Sequence, residues 1–106
     1  MRVVQFRRLL NDDNSLRVRF EIDRGQVRKF AIQLECRYDD SGFTPVIRYD
    51  TAHGFAHCDK LHPYEPAVKS ILDTKDYNEA LNLAMNDLVE NWGHYRRRYE
   101  QWLKQR

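Results

Sequence analysis

The first half of the chain alternates. In residues 16–22, LRVRFEI, the apolar Leu16, Val18, Phe20 and Ile22 fall on one side and Arg17, Arg19 and Glu21 on the other. That is the period-2 pattern of a strand with one buried face. Asp23-Arg24-Gly25-Gln26 reads as a tight turn, since Gly25 takes positive φ without steric cost. Over residues 27–38 a second alternation places Phe30, Ile32, Leu34 and Cys36 on a shared face, so the two runs predict a hairpin. A further turn cluster, Asp39-Asp40-Ser41-Gly42, leads into a third strand over 43–50, centred on Val46 and Ile47. Pro45 cannot donate to a ladder, which predicts an edge position or a strand that begins there. Residues 54–58 and 67–72 are shorter strand candidates, and VVQF near the N-terminus is another.

The second half has a different period. Tyr77, Leu81, Ala84, Met85, Leu88, Trp92, Tyr95, Tyr99, Trp102 and Leu103 recur at steps of three and four, the spacing of one helix face. Asp76 followed by Glu79 fits a capping box with Asp in place of Ser or Thr. An unbroken helix over 76–103 would run about 40 Å at 1.5 Å per residue, longer than a small sheet covers. Gly93 is therefore the expected kink or exit point. Together these patterns predict an α+β fold: an antiparallel sheet of four to five strands with one long C-terminal helix packed on a face.

Composition fits that picture. At 106 residues, 42% hydrophobic and 32% charged, the chain makes one soluble domain over residues 1–106, with a heavily charged surface. The opening MRVVQFRRLL lacks the roughly 7–15-residue apolar core of a secretory signal, and no stretch nears the ~20 residues of a membrane span. The expected compartment is the cytoplasm, with no membrane partner and with Cys36 and Cys58 reduced. A net charge of +2 does not argue for nucleic-acid binding. The clustering of basic residues at Arg7–Arg8, along 17–29 and at Arg96–Arg97–Arg98 is a pointer to an anionic partner.

The densest chemistry lies in RYDTAHGFAHCDKLHP, residues 48–63, which holds His53, His57 and His62, three of the four histidines, with Asp50 and Asp59 among them. Three readings stand side by side. His57, Asp59 and His62 are suitable ligands for a divalent metal, although their spacing matches no established template. His53 and His57 are candidates for proton transfer near neutral pH, with Arg48 to stabilise a phosphate and Asp50 to orient a histidine. In metal-free RNA cleavage one such group takes the 2′-hydroxyl proton and another protonates the leaving oxygen. The third reading has the histidines capping turns without chemistry. No cofactor is required, and a divalent metal is the alternative.

The order of a strand, R-Y-D, small residues, H-x-x-x-H, an apolar stretch and a helix resembles the TumE-type toxins of bacterial type II toxin–antitoxin systems. The resemblance covers residues 30–38, 46–57, His62 and the helix to about Trp92. Members of that family carry a denser histidine cluster after R-Y-D, whereas here the histidines spread over ten positions. The resemblance implies a small cytoplasmic toxin that attacks RNA as a ribonuclease and is neutralised by a cognate antitoxin protein.

WGHYRRRYEQWLKQR, at the C-terminal end, interleaves aromatics with arginines. Arg96, Arg97 and Arg98 are candidates for RNA phosphates. If the helix overhangs its sheet, Trp92, Tyr95, Tyr99 and Trp102 form an interface for a second copy or an antitoxin. The alternative to a catalytic toxin is thus a non-catalytic interaction module built on this aromatic helix.

Overall fold

In the computed structural model, which describes residues 1–105, the chain runs β1 (Arg2–Asn11), β2 (Asn14–Asp23), β3 (Gln26–Arg37), β4 (Phe43–Asp50), β5 (His57–Lys60), β6 (Val68–Ile71) and α1 (Tyr77–Leu103). The strands form one antiparallel sheet in sequential order, β1 to β6. The fold is α+β as expected, but the sheet has six strands rather than four or five. The β2–β3 connection is the predicted tight turn, with positive φ at both Arg24 (51°) and Gly25 (78°), the twist that suits a two-residue hairpin loop.

The alternation in β2 and β3 is cashed out on one side of the sheet. Leu16, Val18, Phe30, Ile32, Leu34, Cys36 and Ile47 pack against Ala80, Ala84 and Leu88 of α1, and none of these is more than 3% exposed. Pro45 does not mark an edge, because β4 lies between β3 and β5. Its missing N–H is accommodated at a register shift: Leu34 faces Ile47 but Glu35 faces Pro45, leaving Val46 as the extra residue of a bulge. This irregularity lets the consecutive Val46 and Ile47 both be buried.

The helix starts where its cap predicts. Asp76 accepts hydrogen bonds from the backbone N–H of Asn78 (2.9 Å) and of Glu79 (3.4 Å). Asn78 then pins this end to the β2–β3 turn, accepting from Val27 N–H (2.8 Å) and donating to the Gly25 carbonyl (3.0 Å). Eighteen residues on, Arg96 donates to the Arg37 carbonyl (2.9 Å) and to Asn14 Oδ1 (2.8 Å), and Tyr38 donates back to the Arg96 carbonyl (3.0 Å). So α1 lies along β3: about 27 Å of helix against about 33 Å of strand.

Gly93 does not end the helix, which is continuous from Tyr77 to Leu103, and it is no exit from the domain, since Tyr99 beyond it is buried. The turns beyond Arg96 are covered by the segment between β5 and β6, where the His62 ring lies 4.5 Å from Trp102 and Tyr64 Oη donates to the Leu103 carbonyl (2.9 Å). Midway, Asp87 accepts from Tyr49 (2.6 Å), Tyr95 (2.7 and 2.8 Å) and Asn91 (2.8 Å). Burial and these bonds to a carboxylate push both phenols above their ordinary range. No helix is long and apolar enough to cross a membrane among the described residues.

Leu34 is fully enclosed at the centre of the core, so Leu34→Ala should destabilise the domain by about 2–5 kcal/mol; urea unfolding measures it, and an unchanged midpoint would contradict this packing. Both cysteines are free and buried, and burial pushes each thiol up to about 11. Because the thiolate is the nucleophile, neither should react with iodoacetamide in the folded protein at pH 8, and both should react in denaturant. Mass spectrometry of the alkylated chain reads the difference.

Candidate functional site

One helix covers one face of the sheet, so the other face is bare and polar. Its side chains line up in register across all six strands. One row runs Arg7, Arg17, Gln33, Arg48, Asp59, Lys69, and the adjacent row runs Gln5, Arg19, Ala31, Asp50, His57, Ile71. Antiparallel pairing of β4 with β5 sets Asp50 opposite His57 and Arg48 opposite Asp59. Two strand ends thereby gather two carboxylates around one imidazole.

His57 Nε2 lies 2.8 Å from Asp50 Oδ1 and 3.6 Å from Asp59 Oδ2. Ligand atoms of Asp50, His57 and Asp59 all fall within 4.8 Å of one another, a group able to hold a metal ion. The other ring nitrogen, Nδ1, is 3.3 Å from the Phe55 carbonyl. A carbonyl and a carboxylate both only accept, so each ring nitrogen faces an acceptor, and the contact to Asp50 is the shorter. That contact is attractive in two ways. Either Nε2–H donates to Asp50, or with the proton on Nδ1 its lone pair and the carboxylates share a cation. A metal-binding histidine commonly donates its second nitrogen to a carbonyl in this manner.

The loop between β4 and β5 closes this group off. Thr51 fixes the loop to β3: its Oγ1 accepts from Phe30 N–H (3.1 Å), and its N–H donates to the Phe30 carbonyl (3.2 Å). Ala52 N–H donates to Asp50 Oδ1 (3.1 Å), and Gly54 turns the chain with φ at 83°. The rings of His53 and Phe55 then each stand 5.6 Å from that of His57, leaving it 1% exposed. Asp59 Oδ1 is buried without a hydrogen bond, and its ion-pair partner is the ammonium of Lys69, 3.6 Å away.

Cations surround the group. Glu35, on the same face, accepts from Arg7 (3.0 Å), Arg17 Nε (3.2 Å) and Gln33 (2.6 Å), and Gln33 in turn accepts from Arg48 Nε (2.8 Å). One carboxylate thus orients two arginines directly and a third through an amide. Beside Asp50, Arg19 and Lys29 line a shallow hollow.

Of the expected catalytic residues, the structure brings Asp50 and His57 together, with His53 exposed and stacked on His57 and Arg48 in the neighbouring row. Of the expected metal ligands, His57 and Asp59 meet but His62 does not join them. Its Nδ1 accepts from the N–H groups of Tyr64 (3.1 Å) and Glu65 (3.2 Å), and its ring lies on Trp102. Asp50 takes its place in the group. Among the expected phosphate-binding arginines, Arg96 is spent on Asn14 and Arg37, Arg98 lies 5.1 Å from the rings of Tyr95 and of Trp102, and Arg97 is exposed on the helix.

The aromatic stripe expected at an interface is largely used within the chain. Tyr99 is buried and stacked on Tyr38 (5.7 Å), Tyr95 is bonded to Asp87, Trp102 holds His62, and Trp92 is half-buried against the core. Gln33 and Glu35 escaped the sequence reading, and Arg7 and Arg17 entered it only as parts of basic clusters. The signal for three of them was present: Arg17, Gln33 and Glu35 occupy the polar parity of β2 and β3.

A six-stranded meander backed by one helix, with an Asp–His–Asp group under a loop on its bare face, defines the class of protein. The chain belongs to the family described as a domain of unknown function (DUF7718), whose model matches residues 1–105. No curated protein and no solved structure matches it.

Proposed function

We propose that this protein is a toxin-like ribonuclease that cleaves RNA at the Asp50–His57–Asp59 group with the help of a divalent cation, and that a cognate antitoxin protein restrains it in the cytoplasm. The observation that carries the reading is the convergence of His57 Nε2, Asp50 Oδ1 and Asp59 Oδ2, with Nδ1 facing a carbonyl. Two carboxylates and an imidazole suit an ion of the Mn²⁺ or Zn²⁺ type. Such an ion would draw charge from a phosphoryl oxygen. The order of R-Y-D and H-x-x-x-H supports the toxin assignment.

The chain's own residues then divide the work. Arg48, one strand position from Asp59, holds the phosphate being cut. His53, exposed beside the group, accepts the 2′-hydroxyl proton. The 2′-oxygen bonds to phosphorus as the 5′-oxygen leaves and takes a proton from water, giving a 2′,3′-cyclic phosphate and a 5′-hydroxyl.

A second reading dispenses with the ion. The 2.8 Å contact between His57 and Asp50 is also that of an imidazolium held by a carboxylate, and His53 and His57 would then act as an acid–base pair.

Labelled RNA incubated with purified protein decides between them. Cleavage abolished by EDTA, restored by Mn²⁺ and lost in Asp59→Asn is the expected result, with His53→Ala slower by about 10²-fold or more. Cleavage that survives EDTA but disappears in the His53→Ala/His57→Ala double variant establishes the metal-free mechanism. A folded protein that cuts no RNA under either condition, and whose expression leaves growth unaffected, removes the ribonuclease assignment.

A further inference from the structure

The row Arg7, Arg17, Gln33, Arg48, Asp59 crosses five strands of the bare face in strict register. At about 4.8 Å per strand it measures about 19 Å, ending at the Asp–His–Asp group. Register alone would only make this a charged face. What distinguishes it is how the guanidinium groups are held.

Arg17 is anchored to Glu35, and Arg48 to Gln33, in each case through Nε. Their terminal NH₂ groups have no hydrogen-bond partner among the described residues. A guanidinium fixed at Nε with its two-pronged end unspent is preorganised for a bidentate anion, phosphate above all. Glu35 is shared by Arg7, Arg17 and Gln33, so one negative charge meets two positive ones and the row keeps a surplus of cations. Arg17 also keeps about half of its side chain in solvent.

Phe55, at the end of the row beside His57, keeps 39% of its surface exposed. An exposed ring next to a track of guanidinium groups is the combination that grips single-stranded nucleic acid, by base stacking and phosphate contact together. A duplex hides its base faces and has no use for such a ring.

We propose that single-stranded RNA crosses the strands of the bare face along this row, its phosphates on Arg17 and Arg48 and a base on Phe55, so that the backbone is delivered to the Asp50–His57–Asp59 group from the β1 side. This rests on the ribonuclease reading for its outcome but not for its geometry. It also moves the nucleic-acid surface from the C-terminal arginines to the opposite side of the sheet.

The test uses a labelled oligouridylate with every 2′-hydroxyl methylated, which binds without being cut by 2′-oxygen attack. Its affinity is followed by fluorescence anisotropy across a range of salt. Two neutralised phosphates give a slope of log K against log salt of about −1.4, and Arg17→Gln and Arg48→Gln should each flatten it by about 0.7. Arg17→Lys should keep the slope, which separates lost charge from misfolding. Phe55→Ala should weaken binding about 5-fold or more without altering the slope.

Slopes indifferent to Arg17→Gln and Arg48→Gln overturn the proposal, as does equal flattening by Arg97→Gln on the helix. Binding of polyglutamate in place of RNA would make the face a protein site and likewise overturn it. The two readings fail separately. Native RNA cut by a protein with indifferent slopes removes the track alone, and slopes that flatten without any cleavage of native RNA remove the nuclease alone.

Discussion

The structure depends on an imbalance of surface: six strands present two faces, and the chain supplies one helix to cover them. Hydrophobic burial is therefore concentrated between β3 and α1, where Phe30, Ile32 and Leu34 meet Ala80, Ala84 and Leu88. The small residues on the helix bring its backbone close, and the polar clamps at Asn78 and Arg96 fix its direction along the strand. Everything on the far side has to be stable in contact with water or with its own neighbours. That requirement is met by a lattice of charges around Glu35, and a charged lattice on a flat sheet is also what an anionic polymer would meet.

The same imbalance explains which elements were legible in the amino-acid sequence. β2 and β3 alternate because one of their faces is buried and the other is not, so their boundaries could be read to within two residues. β1 was little more than a candidate: most of its residues are exposed on both faces, and where burial imposes no difference the sequence has no reason to alternate. Its ten residues are held by pairing to β2, and backbone hydrogen bonding leaves no mark on side-chain pattern. Of the two expectations from Pro45, the strand does begin close by, at Phe43, but it is no edge, since a bulge inside a sheet satisfies the same constraint. Gly93 misled because the segment around His62 extends the cover for the helix, and nothing local to the helix announces that.

The candidate site shows the same division. Residue type made His57 and Asp59 suspects, and the strand candidate over residues 54–58 stopped one position short of Asp59. That Asp50 rather than His62 would complete the group follows from the β4–β5 register, a long-range fact. His62 has the parity of Cys58, which lies in the core on the helix side, and it packs there against Trp102. The C-terminal arginines were judged by composition, yet Arg96 spends its charge on joining the helix to Asn14 and Arg37. A cluster of like charges in sequence says little until it is known which carbonyls and rings lie beneath it.

The cover over His57 is the feature that a merely solvated charged face does not account for. Left open to water, Asp50 and Asp59 would each be hydrated at little cost, and no ring would need to sit above them. Instead the loop anchored by Thr51 and turned at Gly54 sets His53 and Phe55 against His57, and Asp59 Oδ1 is left without a hydrogen bond. Leaving a buried polar group unsatisfied costs about 1–3 kcal/mol, and more when it is charged. The same exclusion of water lowers the local dielectric, so a cation among these three ligands would be held more strongly than at an open surface. An apolar pair at positions 57 and 59 would have closed the loop onto the sheet without that cost. Lys69 Nζ, 3.6 Å from Asp59 Oδ1, offsets part of that cost, and the remainder is what the proposed cation would offset.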